Sequence, residues 1–372
     1  MGSNVKNILL ISPYNSRKVG GIGTWSKSIL EYFSSGTEFK IVFQNTTNPI
    51  RNNLPRTKIF RILVGIEDTI VVLIKLFFNL CFRDIDVVHY TSSASMALSK
   101  DRIIIFVAKQ LFHKKFIIHW HFGRIPELAV VRNSEYRKIL KIIKKVDASI
   151  VLDNKSLYAL QAESCQNIYC IPNPITDSVI QAAKNIDAVA IQKDRERGVV
   201  LFVGHVIRNK GIYELVTACA QCDLVKRLIV VGPYKQEDKS NLMLLAKIKG
   251  DSTWLDFRGE LKREDVYDYY KKAAIFCLPS YTEGFPYVIL ESMAFACPIV
   301  STDVGAIPEM LSEQSGVVIN PKDIHGLTFA IENLLHDKSQ ADSYGINAYK
   351  RVMSCYSVES IMTQFANLWR LL

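Results

Sequence analysis

The chain of 372 residues lacks a segment able to span a bilayer. Its most apolar stretch, "RILVGIEDTIVVLIKLFFNLCF" (61–82), is interrupted by Glu67, Asp68 and Lys75. The longest uncharged run within it, 76–82, has seven residues, against about 20 for a membrane-spanning helix, so the stretch reads as a buried helix between strands. A signal peptide is not expected, because "VKNILLISPYN" near the start has no long apolar core and reads as a strand. Zinc-binding cysteine spacing is missing too. The only CxxC, formed by Cys219 and Cys222, has no second pair and no clustered His, so it reads as packing. The other Cys lie mostly inside apolar runs, as buried free thiols do, which fits a reducing, cytoplasmic setting. Low-complexity tracts and internal repeats are absent, which argues for ordinary globular domains. "GGIGTWS" lacks the last Gly of a dinucleotide fingerprint, since Ser26 stands there, so a nicotinamide site is a poor reading.

What is present is unevenly distributed. The net charge is +10, yet residues 1–200 hold 28 Lys and Arg against 16 Asp and Glu, while residues 201–372 hold 18 against 20. A basic first half suggests that this half faces something anionic, a nucleic acid or a membrane surface. The length suits two domains rather than one core.

Apolar β-rich runs alternate with helical stretches. In the first half they are 7–13, 39–45, 86–92, 116–122, 148–153 and 168–174; in the second, 198–205, 228–233, 253–259, 273–280, 297–303 and 316–321. Continuous rather than alternating apolar runs suit parallel strands covered on both faces. The expected fold class is therefore α/β, two Rossmann-like doubly wound parallel sheets, with ligands at the carboxyl ends of the strands and the active site in the cleft between the domains. The expected division is a first domain over 1–175, a linker over 176–197 after Pro172 and Pro174, a second domain over 198–355, and a last helix over 356–372 that packs back on the first.

One stretch asks for a ligand. "EGFPYVILE" (283–291) puts Glu283 and Glu291 on either side of a predicted helix start. Gly284 permits a tight turn. Pro286 suits the first helical position, which leaves amides near Tyr287, Val288 and Ile289 free to meet an anion such as phosphate. At about 1.5 Å per helical residue the two carboxylates stand on the order of 10 Å apart, the span of a folded nucleotide-sugar. The residues alone leave two readings open: a donor site, or a capped core helix with two solvated glutamates.

The same stretch resembles the signature of the retaining, GT-B-fold glycosyltransferases of the group 1, family four type. Further motifs match in order along nearly the whole chain: "GGIGTW" (20–25), "HWH" (119–121), "IPNP" (171–174), "FVGHVIRNKG" (202–211), "FRGEL" (257–261) and "STDVGAIPEM" (301–310). The resemblance implies that Glu291 binds the ribose of a nucleoside diphosphate and Glu283 the hydroxyls of the donor sugar. It implies that backbone amides of Phe285, Tyr287 and Val288 help to hold sugar and phosphate, and that Lys210 neutralises the diphosphate. The family usually has Arg where His205 stands here, so Arg208 is the candidate for a second cation. Gly20, Gly21 and Gly23 would form a wall beside the donor, and His121 matches the family's active-site histidine. No carboxylate of the first half stands out as a general base, which fits front-face attack with the leaving phosphate taking the acceptor proton. "DID" (84–86) imitates a metal-binding motif but abuts a strand start, so neither metal nor other cofactor is expected.

The basic half contains "RKILKIIKKV" (137–146), in which Ile139, Ile142, Ile143 and Val146 share one helical face and Arg137, Lys138, Lys141, Lys144 and Lys145 the other. It reads either as a surface helix packed on its own domain or as a helix lying on anionic lipid at the inner face of the cytoplasmic membrane. The function expected is transfer of a sugar from a nucleoside diphosphate, UDP before GDP, to a polyprenyl-diphosphate-linked glycan in bacterial surface polysaccharide synthesis (O-antigen, capsule or exopolysaccharide). The alternatives are a sugar-nucleotide epimerase or a phosphorylase. Nucleic acid is not an expected partner, because neither interleaved aromatics nor a recognisable module accompanies the Lys and Arg.

Overall fold

A computed structural model describes residues 5–15, 20–36, 38–47 and 58–372. The chain divides into two compact units, Met1–Pro174 with Val358–Leu372, and Ile175–Ser357.

In unit 1 the chain runs through β1 (Lys6–Ser12), α1 (Gly21–Phe33), β2 (Phe39–Asn45), α2 (Lys58–Phe82), β3 (Val87–Ser92) and α3 (Leu98–Phe106). A π-helical turn, Val107–Leu111, then leads to β4 (Lys115–Trp120), α4 (Ile125–Val131), α5 (Ser134–Ile143), β5 (Ala148–Val151), α6 (Asn154–Gln161) and β6 (Ile168–Cys170). The sheet is parallel with order β2-β1-β3-β4-β5-β6. Right-handed crossovers place α1 on one face and α2, α3, α5 and α6 on the other. Continuous apolar runs pack on both faces: Ile8, Leu9, Leu10 and Ile11 of β1 are all fully buried.

Unit 2 contains α7 (Asp177–Ala183), β7 (Glu196–Val203), α8 (Ile212–Gln221), β8 (Arg227–Val231), α9 (Gln236–Ala246), β9 (Leu255–Gly259) and α10 (Arg263–Lys272). It continues through β10 (Ala273–Leu278), α11 (Tyr287–Ala294), β11 (Ile299–Thr302), α12 (Ile307–Met310), β12 (Val317–Ile319), α13 (Ile324–His336) and α14 (Lys338–Cys355). Its parallel sheet has the order β12-β11-β10-β7-β8-β9. The last helix, α15 (Val358–Leu371), belongs to unit 1. There Trp369 packs on Phe33 and Phe39, Arg370 pairs with Glu38, and Lys6 Nζ donates to the Trp369 carbonyl.

All twelve runs read from the sequence are strands, with differences at their ends. The run 168–174 stops at Cys170, because Pro172 and Pro174 have no N–H to give a ladder. Residues 176–197, expected as a linker, are instead folded into unit 2. The half-buried Arg195 guanidinium explains this: it donates to the carbonyls of Tyr270, Lys271, Ala273, Phe295 and Ala296, so it closes the ends of α10 and α11. The stretch 61–82 is not buried all round. α2 sends Val64, Val72, Leu76 and Leu80 inward and leaves Ile66, Ile70, Ile74, Phe77, Phe78 and Phe82 exposed. Among the described residues no helix is long and apolar enough to cross a membrane, and all eight thiols are free.

Candidate functional site

In a doubly wound sheet the crevice opens where consecutive crossovers diverge. In unit 2 that point lies between β7 and β10, the two neighbours from which the chain runs outward in opposite directions. The loops leaving these strands, 204–211 and 279–286, are fastened together. The Tyr281 amide donates to the Asn209 carbonyl at 2.9 Å, and Gly211 sits so close to Pro279 that a Cβ would lie 1.9 Å from its carbonyl oxygen. With φ +68°, Gly211 also holds a backbone conformation that favours glycine. The loop after β11 supports the same place: Gly305 (φ +53°) lies against the Glu283 and Gly284 carbonyls, and the Ala306 amide donates to Gly284 at 2.9 Å.

On this base stand the charged groups. Glu283 Oε1 accepts from Lys210 Nζ at 2.5 Å and from Ser280 Oγ at 2.7 Å. The pair is partly open, so an incoming anion can reach the Lys210 ammonium. Eight residues on, Glu291 is only 5% exposed. Its carboxylate lies 3.1 Å from Arg263 Nε and accepts from Tyr270 Oη at 3.3 Å. Burial pushes its pKa up, while Arg263 and Tyr270 act against that rise. A ribose meeting Glu291 would therefore share it with Arg263 and Tyr270. Pro286 is the N-cap rather than the first helical residue, and the Ile289 amide is already taken by the Pro286 carbonyl at 3.1 Å. The amides of Phe285, Tyr287 and Val288 find no acceptor among the described residues. His205 and Arg208 are exposed, and the Arg208 guanidinium lies 4.3 Å from the Tyr213 ring centre.

Sequence reasoning missed Arg263, Tyr270 and Ser280. Ser280 had a signal in its position three residues before Glu283. Arg263 and Tyr270 had none, because α10 reaches α11 only through tertiary packing.

The unit 1 candidates form a second group. Gly20 caps α1, and Gly21 and Gly23 lie in its first turn. Together they wall a cavity of about 520 Å³ at the carboxyl ends of β1, β2 and β3, where Tyr14, Asn15, Thr46, Thr91 and Ser93 also face inward. His121 follows β4, and its ring packs on His119 and on Trp25 of α1 (centroids 4.2 and 5.1 Å). Trp369 Nε1 donates to His89 Nδ1 at 3.1 Å, so the His89 proton sits on Nε2, which faces His119 Nδ1 at 3.4 Å. Burial pushes His89 and His121 down to about 3, and His119 well below its ordinary value. All three are neutral near pH 7, so His121 offers an imidazole and not a cation. Among the described residues no group of three or more His, Cys, Asp and Glu could hold a metal; "DID" lies at the approach to β3, with Asp86 accepting from the Asn7 amide.

Comparison with known proteins matches residues 184–351 to the family Glycosyl transferases group 1. The matched segment contains Lys210, Glu283 and Glu291 and none of the unit 1 candidates. A curated relative, the putative teichuronic acid biosynthesis glycosyltransferase TuaC of Bacillus subtilis (strain 168), is 28% identical over 159 residues, 43% of this chain and 38% of that one. The chain spans under half the length of the curated relatives it matches. Among solved structures, sucrose-phosphate synthase from Thermosynechococcus elongatus superposes with TM-score 0.77 at 21% identity, covering 98% of both chains. Anabaena Alr3699/HepE, solved in complex with UDP, gives 0.70 at 17% identity over 99% of this chain and 100% of that one. The two six-stranded parallel sheets are those of the GT-B glycosyltransferase fold.

Proposed function

We propose that the chain transfers a sugar from a nucleoside diphosphate, UDP before GDP, to a lipid-linked glycan during synthesis of a bacterial surface polysaccharide, working at the inner face of the cytoplasmic membrane. The observation that carries this reading is the arrangement around α11: Lys210 beside Glu283 at its start, open amides in its first turn, and Glu291 one turn further in. In this reading the α11 amides and Lys210 receive the diphosphate. Glu283 orders the sugar hydroxyls, and Glu291 takes the ribose. As the glycosidic bond breaks, negative charge grows on the leaving phosphate, where a preorganised cation and helix amides stabilise it most. The leaving phosphate accepts the acceptor proton, and the sugar keeps its anomeric configuration. Fixed protein charges serve in place of a metal. The UDP bound to the Anabaena protein of the same fold supports the nucleotide preference.

Thermal stabilisation by a panel of nucleotide-sugars, which raise the melting temperature by mass action, selects the donor. NMR of the product then reads its anomeric configuration. No stabilisation by any UDP- or GDP-sugar, or an inverted product, would refute the reading.

A further inference from the structure

The helical layer on the face of the unit 1 sheet opposite α1 has an unusual surface. α2, α3 and α5 lie side by side, α3 in the middle, with Phe77 of α2 against Phe112 at 5.3 Å. Their inner residues fill the core, including Ile139, Ile142 and Ile143 of α5. The apolar face of "RKILKIIKKV" is therefore not available to lipid, and α5 shows only its cations. The exposed apolar groups come from the neighbouring helices: Ile66, Ile70, Ile74 (63%), Phe77, Phe78 (62%) and Phe82 (71%) along α2, with Ile103, Phe106 and Leu111 beyond. Repeats of three and four residues put the α2 set on one ridge. Glu67 and Lys75, one charge of each sign, are also exposed on α2.

Beside this ridge, between α3 and α5, lies a groove of about 640 Å³. Its walls carry Ile103, Phe106 and Ile142 together with Arg102, Lys138, Lys141, Lys144 and Lys145, and no acidic side chain. The nearby Asp147 does not neutralise the five cations, because its carboxylate is held by Lys109 at 2.6 Å and Lys115 at 3.6 Å. Among the described residues none of the five is in an ion pair. An apolar groove rimmed by unpaired cations, continuous with an apolar ridge, is complementary to one kind of surface: acyl chains beneath anionic headgroups.

We propose that the outer face of the α2–α3–α5 layer docks on an anionic bilayer, with the ridge of α2 and α3 entering the acyl boundary and the five-cation groove holding a phospholipid headgroup phosphate. α2 lies along the surface and not across it, since Val72, Leu76 and Leu80 are fixed in the core. The proposal rests on the functional reading above only for its purpose, bringing the enzyme to a lipid-linked acceptor.

The test uses the full chain, vesicles of phosphatidylcholine with and without phosphatidylglycerol, and no donor or acceptor. Docking and transferase activity thus stand or fall separately. Cys81 is exposed on α2 next to Phe82, and Cys355 is exposed in unit 2. An environment-sensitive label on Cys81 in Cys355→Ser is expected to shift to the blue with phosphatidylglycerol vesicles, and the same label on Cys355 in Cys81→Ser is not. Each cation near an anionic surface contributes about fivefold, so Lys141→Gln/Lys144→Gln/Lys145→Gln should lose affinity by roughly a hundredfold. Ile74→Ser/Phe78→Ser, at positions already facing water, should keep salt-sensitive binding but lose the Cys81 shift. Vesicle binding with the Cys81 label still in water would overturn the proposal. So would soluble duplex DNA competing as well as the vesicles, or inorganic phosphate binding to the groove without any vesicle binding.

Discussion

Acidification should loosen unit 1 well above the pH at which carboxylates titrate. The perturbation is a shift from about pH 7.5 to about pH 5.5, and it acts on the histidines at the centre of that unit. Folded His89 and His121 titrate only at about 3, and His119 well below its ordinary value, chiefly because burial opposes the charged ring. The unfolded chain takes up these protons near pH 6.5 and the folded chain does not, so stability rises with pH and is lost as pH falls through that window. One unit below 6.5 each neutral ring costs about 1.4 kcal/mol, roughly 4 kcal/mol for the three. Asp101 works in the opposite direction. Burial raises it to about 6 despite its bonds from Ser92 and Tyr90, so the folded state gains a proton first and recovers about 0.8 kcal/mol at pH 5.5. The histidines win, with a net loss of about 3 kcal/mol. Urea unfolding followed by tryptophan fluorescence reads this directly, since Trp25, Trp120 and Trp369 lie in unit 1 and only Trp254 in unit 2. With a slope of roughly 3 kcal/mol per molar urea, the midpoint should fall by about 1 M. An equal midpoint at the two pH values would refute the neutral histidine cluster.

Other consequences are independent of this one. Lys210→Ala should lower turnover by about a hundredfold or more, the scale for one electrostatic donor to a developing charge, with an unchanged circular dichroism spectrum; wild-type turnover would move that role to Arg208 or His205. Transfer should persist in excess EDTA, and abolition with rescue by manganese or magnesium would contradict a charge clamp built from protein groups alone. Arg195→Ala should destabilise unit 2 by about 1–3 kcal/mol, because it strands carbonyls now bonded to a half-buried cation; a Trp254-reported midpoint equal to wild type would show those bonds to be dispensable.

The strands were legible because parallel strands buried on both faces leave continuous apolar runs: β3 (Val87–Ser92), buried at every residue, differs from its run, 86–92, by one residue. What the sequence concealed depended on tertiary partners. The same amphipathic spacing in "RKILKIIKKV" serves a core-facing helix or a lipid-facing one, and only the packing of Ile139 and Ile142 decides between them. In α2 both sides are apolar, so no periodicity announced which side would remain outside. Arg195 stands in a charged stretch read as a linker, yet its guanidinium is half-buried and bonded to five carbonyls. Glu283 and Glu291 could be picked out by the local chemistry of a helix start, but the Arg263 and Tyr270 that hold Glu291 lie a whole strand away in sequence.

The most direct measurement is calorimetric binding of UDP and of 2′,3′-dideoxy-UDP to wild type and to Glu291→Gln. A carboxylate that accepts from ribose hydroxyls contributes about 1.5–3 kcal/mol, the range for hydrogen bonds to charged groups. Wild type should therefore bind UDP at least tenfold more tightly than the dideoxy compound. In Glu291→Gln, which keeps the side-chain shape but removes the charge facing Arg263, most of that difference should vanish while dideoxy-UDP binds as before. If the variant binds UDP as tightly as wild type, or loses affinity equally for both nucleotides, Glu291 does not hold the ribose and the donor site is not where α11 places it.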